Sequence, residues 1–141
     1  MVVFDHEKLD VYRMAVEYAD AADDIAMHLK PGNAHIRDQL RRASDSAINN
    51  IAEGAGEFQP AEKARFYRIA LRSCTESAAT LHTCQRRQLA DLTKVEHARA
   101  LLKRVVEMLT RLIQSVGRRR QNDRDRYRDP DRERVGAEDS P

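Results

Sequence analysis

Gln39, Arg42, Ser46, Asn50 and Glu53 stand at spacings of three, four, four and three residues. An α-helix, at 3.6 residues per turn, gathers such positions on one strip. Amides, a hydroxyl, a guanidinium and a carboxylate complement one another as hydrogen-bond donors and acceptors. Asn49 borders the strip, and Ser73 and Glu76 offer matching groups further along the chain. Two readings fit these types. One is a satisfied polar network across helices or subunits, which would fix register and oligomer geometry. The other is a surface for a ligand or nucleic acid.

A second group is cationic. Arg65, Arg68 and Arg72 share a helix face, and Arg37 and Arg41 share another. The plain reading is a solvated face with ion pairs to Glu62, Asp38 or Asp45, each worth about 0–1 kcal/mol. The functional reading is phosphate neutralisation, which symmetry would amplify: copies of a three-arginine patch make a ring of positive potential. Arg86-Arg87 and Arg118–Arg120 would add contacts. Phe66 and Tyr12 read as core, so no aromatic platform for stacking bases is expected. Binding would then follow the phosphate backbone and fall steeply with salt.

Other chemistry finds little support. The histidines at 6, 28, 35, 82 and 97 include no His-x3-His pair, and His82 and Cys84 face different directions on a helix. There is no P-loop, no glycine-rich dinucleotide turn and no nucleophile elbow. The expectation is a protein with no catalytic residues, metal or cofactor. Cys74 and Cys84 lie ten residues apart, roughly 15 Å along one helix. That exceeds the reach of a disulfide, so both read as reduced, core-filling thiols.

These residues need helices to position them. The 141-residue chain is 34% charged, 41% apolar and only 5% aromatic, with five glycines and four prolines. That suits helices and argues against a β-sandwich or barrel. Four segments show apolar residues three and four apart. The first runs from about His6 to Lys30 and stops at Pro31-Gly32. The second runs from about Ala34 to Glu53, with Gly54 expected just past its end as a terminating glycine. The third starts at Pro60, suited to a first helical turn, and reaches about Gln88. On it Phe66, Ala70, Ser73, Ser77, Leu81 and Cys84 share a face whose small members allow close approach of a neighbour. The fourth opens with Thr93-Lys94-Val95-Glu96, a capping-box pattern, and carries a stripe from Ala98 to Val116. Four such helices with short connections predict an all-α, antiparallel up-down-up-down four-helix bundle over 1–117.

Residues 118–141 hold eight arginines and seven acidic residues and almost nothing apolar. They read as a charged, disordered tail, with Arg118-Arg119-Arg120 extending the end of the preceding helix, where positive charge suits the dipole. The formal charge of +2 excludes a chain that coats nucleic acid by bulk charge alone. No apolar run spans a bilayer, and the N-terminus has no secretory pattern, so a cytoplasmic location without membrane contact is expected.

Gln39-Leu40-Arg41-Arg42-Ala43, Ser46, Asn50-Ile51-Ala52-Glu53-Gly54, Phe66, Ile69-Ala70, Ser73 and Glu76 resemble the four-helix-bundle proteins encoded in intervening sequences of bacterial 23S rRNA genes, the S23 family. Leu9-Asp10-Val11-Tyr12-Arg13-Met14-Ala15 fits the same pattern, and the resemblance covers about residues 4–116. More distantly, the chain is similar to the accessory variability determinant of diversity-generating retroelements. The resemblance implies a four-helix bundle, a homopentamer, and binding of nucleic acid or a reverse transcriptase. There are departures. Ala47-Ile48 stands where the family often has Ile-Pro, and the loop Ala55-Gly56-Glu57-Phe58 lacks the family's common basic residue. The expected function is therefore a non-enzymatic, pentameric bundle that binds RNA or DNA through Arg37, Arg41, Arg65, Arg68 and Arg72. A scaffold or accessory subunit for a partner such as a reverse transcriptase is the alternative. Gln39, Arg42, Ser46, Asn50, Glu53, Ser73 and Glu76 would form the structural polar network.

Overall fold

A computed structural model describes residues 1–128. A short 3-10 turn, Asp5–Lys8, precedes four helices: α1 Asp10–Met27, α2 Ala34–Gly56, α3 Pro60–Arg86 and α4 Leu92–Arg126. Each helix packs on its neighbours in the chain and α4 closes on α1, while the backbones of the diagonal pairs stay more than 8 Å apart between Cα atoms. Apolar side chains three and four apart on every helix therefore point to one shared centre. Tyr18, Ile25, Leu40, Ile51, Leu81, Val95, Val105 and Leu109 are its largest fully buried members. No helix among the described residues is long and apolar enough to cross a membrane.

The connections show why the chain turns where it does. Gly32 takes φ +87°, the left-handed region that glycine enters without cost. The α1–α2 connection meets the α3–α4 connection where Lys30 N–H donates to Leu89 O at 3.0 Å. At that end, α1 is tied to α4 by Lys94 Nζ on Asp24 at 2.9 Å, and to α2 by Arg41 on Asp23 at 2.7 Å. The hydrogen bond from Lys94 holds the Asp24 carboxyl below its ordinary value. After α3, Gln88 adopts φ 54°. Leu89 N–H reaches back to Cys84 O at 2.9 Å and Gln88 N–H to Gln85 O at 3.2 Å. This is a Schellman ending, with glutamine in the place glycine usually takes.

Five sequence expectations are corrected. Gly54 does not end α2; it is buried inside a helix that runs on to Gly56. Its role is close packing, described below. The first helix begins at Asp10, because His6 belongs to the preceding 3-10 turn. The cap of α4 is Asp91, whose carboxylate accepts from Lys94 N–H at 3.0 Å, so the Thr93–Glu96 pattern lies inside the first turn. Phe66 is only half-buried, with the Arg65 guanidinium 4.6 Å above its ring. Finally, α4 passes Gly117 without a break and runs beyond the expected extension over Arg118–Arg120 to Arg126. One glycine costs a helix interior about 1 kcal/mol, too little to stop a 35-residue helix. Residues 118–126 are exposed throughout. They are supported by Gln121 on Asp125 at 3.1 Å and by arginines in the last turn. Residues 129–141 of the expected tail lie outside the described residues. Cys74 and Cys84 are free thiols buried in α3, and burial pushes Cys74 up to about 12.

Candidate functional site

The polar strip of α2 lies along its seam with α3. Ser46 and Ser73 hydroxyls meet at 2.8 Å. Asn50 Nδ2 donates to Ser46 O at 2.8 Å and to Ser46 Oγ at 3.3 Å, and Ser73 Oγ reaches Ile69 O at 3.1 Å. One turn nearer the α2 N-terminus, Arg42 and Glu76 face each other at 3.6 Å, both well exposed. Gln39 and Glu53 are exposed, and their side chains make no hydrogen bond or ion pair among the described residues. The structure thus brings together Ser46, Asn50 and Ser73, sets Arg42 on Glu76 beside them, and leaves Gln39 and Glu53 to solvent.

At the far end of the seam α2 and α3 pack tightly at Gly54. A Cβ on Gly54 would lie 2.6 Å from Cε1 of Tyr67 and 2.7 Å from Cδ1. The absence of a side chain at Gly54 lets the buried Tyr67 ring approach the α2 backbone this closely. Lys63 finishes this corner. Its ammonium donates to Gly54 O at 2.6 Å and Ala55 O at 3.2 Å, carbonyls near the C-terminus of α2, and it sits 5.7 Å from the centre of the Tyr67 ring. A cation on the last carbonyls of a helix is favourable. Burial lowers the Lys63 pKa, and the positive charge of Arg119 lowers it further. Arg119 of α4 therefore stands at this same corner.

The five arginines proposed for phosphate contact do not form one patch. Arg41 is bound to Asp23 on the α1–α2 side, and Arg37 lies 3.4 Å from Asp38. Arg65 is held by both oxygens of Glu62 at 3.0–3.3 Å. Arg68 and Arg72, on the outer face of α3, are exposed and make no ion pair among the described residues. The richest basic surface is elsewhere. From Arg99 to Arg120, α4 carries seven basic residues and one acidic one, Glu107. Arg104, Arg111 and Arg118 are seven residues apart, so they form one ridge along the helix. All three are exposed, and none makes an ion pair or side-chain hydrogen bond among the described residues.

The family model for the 23S rRNA-intervening sequence protein matches residues 7–111, most of the chain. The chain belongs to this family. No curated protein matches it. Among solved structures, it is similar to a protein of unknown function from the S23 ribosomal protein family of Bacteroides thetaiotaomicron. That match has a TM-score of 0.68 and 19% identity, and covers 73% of this chain and 97% of the other. At that identity the likeness concerns the fold, and it supports the four-helix arrangement.

In this member of the intervening-sequence family, the Asn-Ile-Ala-Glu-Gly stretch has a mixed structural content. Asn50 binds the seam, Ile51 fills the core, Glu53 faces solvent and Gly54 admits Tyr67. Sequence reasoning missed Tyr67 and Lys63, because neither contact follows from helical periodicity. It also missed Arg104 and Arg111, although their seven-residue spacing with Arg118 was a readable signal.

Proposed function

We propose that this chain is the subunit of a non-enzymatic homo-oligomer, pentameric as its family resemblance implies, that binds RNA or DNA along the phosphate backbone. The observation that carries this reading is the α4 ridge of Arg104, Arg111 and Arg118, three exposed arginines without an ion pair among the described residues and with Glu107 as the one acidic residue between them. Arg68 and Arg72 add to it from α3. Arg37, Arg41 and Arg65 contribute only by exchanging exposed carboxylate partners for phosphates, a small cost because such pairs are worth about 0–1 kcal/mol. The up-down-up-down order of the helices is supported by pairs joining late α1 to early α2, late α2 to early α3, and late α3 to early α4.

Light scattering on the purified chain tests the assembly: five copies are expected, and a monomer overturns it. Filter binding of single-stranded RNA and duplex DNA tests the ligand. Binding near 50 mM salt that weakens steeply toward about 200 mM is expected. No binding at the lower salt contradicts it. The reading as an accessory subunit for a partner such as a reverse transcriptase, favoured by the open apolar grooves between helices, then takes its place.

A further inference from the structure

Two grooves on opposite edges of the bundle carry opposite charge. The α1–α2 groove, about 250 Å³, is lined by Val16, Ala19 and Ile48, with Asp20, Asp23 and Asp45 around them. Arg41 neutralises Asp23 there, so Asp20 and Asp45 remain as the unpaired charges among the described residues. The α3–α4 groove, about 430 Å³, is lined by Ala78, Leu102 and Val106, with Arg99 and Lys103 beside them. Arg99 is hydrogen-bonded to the neutral carbonyl of Gln85 and keeps its charge, and Lys103 is unpaired among the described residues. The α3–α4 groove is mainly apolar and the α1–α2 groove mixes apolar side chains with Ser44 and charged groups, and each holds two uncompensated charges, negative in one and positive in the other.

The grooves also match in height. The α1–α2 and α3–α4 connections meet through Lys30 and Leu89, which sets a common origin. Counted at 1.5 Å per residue from the helix ends beside that bond (Met27, Ala34 and Leu92), Asp20 and Asp45 lie about 10 and 16 Å down the bundle, and Arg99 and Lys103 also about 10 and 16 Å. Their apolar side chains span the same levels. A second copy placed alongside, with its helices in the same direction, brings Asp20 and Asp45 level with Arg99 and Lys103.

We infer that the α1–α2 groove of one copy docks on the α3–α4 groove of the next, forming the subunit contact of the homo-oligomer. This rests on the oligomeric reading above and names the surfaces that make it. The contact is heterologous: different faces meet, so each subunit uses both, and a repeated rotation closes the set into a ring. Opposed charges around apolar centres select this pairing over self-pairing of either face, which would set like charges together. The α4 ridge of Arg104, Arg111 and Arg118 does not line either groove, so the contact leaves it open.

Charge reversal in the full chain tests this. One variant carries Asp20→Lys with Asp45→Lys, a second carries Arg99→Glu with Lys103→Glu, and a third carries all four. All changed side chains are exposed, and circular dichroism with thermal melting establishes that each variant is folded. Light scattering is then expected to give the wild-type oligomer, dissociation by at least tenfold for each two-site variant, and recovery in the four-site variant, where the charges are swapped but complementary. Mixing the two-site variants is expected to restore association. Oligomers of unchanged size and affinity in both two-site variants would overturn the proposed faces while leaving the oligomer standing. A monomeric wild-type chain would overturn both.

Discussion

Three single residues carry contacts whose chemistry makes definite demands. Gly54 is set by the Tyr67 ring 2.6 Å from where a Cβ would sit. Gly54→Ala gains helix propensity but forces the ring or the helix to move. The net expectation is a loss of about 1–3 kcal/mol in denaturant unfolding. A more stable variant would show that the two helices can separate there without cost. Gln88 holds a left-handed conformation at the Schellman ending of α3. Gln88→Gly is expected to raise stability by about 0.5–1 kcal/mol, because the side chain's steric cost exceeds glycine's entropy in the unfolded chain. Cys74 is the third. Burial lifts its thiol from an ordinary 9 to about 12, so the folded state holds the proton where the unfolded state has lost it. The fold binds more protons than the unfolded chain across that window, and its stability must fall as pH rises through it. Chemical denaturation at pH 8 and pH 10.5, wild type against Cys74→Ala, reads this: the wild type loses more on going up. At pH 8 the thiol should react with an alkylating reagent only after unfolding.

Between helices, the seam of α2 and α3 separates residues that the sequence placed on one strip. Ser46→Ala removes the bond to Ser73 and a contact of Asn50, and is expected to cost about 0.5–1.5 kcal/mol. Glu53→Ala, on an exposed side chain without a partner among the described residues, should leave monomer stability within about 0.5 kcal/mol. Equal losses from both would contradict the division. Periodicity was enough to find the four helices and their inner faces, because burial repeats every three or four residues. It placed Ser46, Asn50 and Ser73 on facing strips for the same reason. Spacing along one helix does not say which end of a neighbour it meets, however. Hence Lys63 on the α2 carbonyls and Tyr67 on Gly54 are not readable, and a glycine at the end of an apolar stripe reads as a stop rather than a gap. The end of α4 was misjudged for a different reason. A charged segment with no apolar face lacks a core to join, yet it can extend a helix that the core has already nucleated.

For the whole molecule, a formal charge of +2 conceals an uneven distribution. Helix α1 holds five acidic residues and one basic one, while α4 from Arg99 to Arg120 holds seven basic and one acidic. That asymmetry gives the two charged grooves their opposite signs and leaves a basic ridge whose arginines make no ion pair among the described residues, although Glu107 shares its face and Asp10 lines the groove beside Arg111 and Arg118. The role proposed for the ridge is contact with phosphates, and the salt dependence of binding is its most direct readout. Filter binding of single-stranded RNA across a salt series compares the wild type with a chain carrying Arg104→Gln, Arg111→Gln and Arg118→Gln. Each lost phosphate contact removes about 0.7 from the slope of log affinity against log salt, so a decrease of about 2 per engaged subunit is predicted, with the oligomer intact. An unchanged slope and affinity would contradict the assignment of the ridge to nucleic acid.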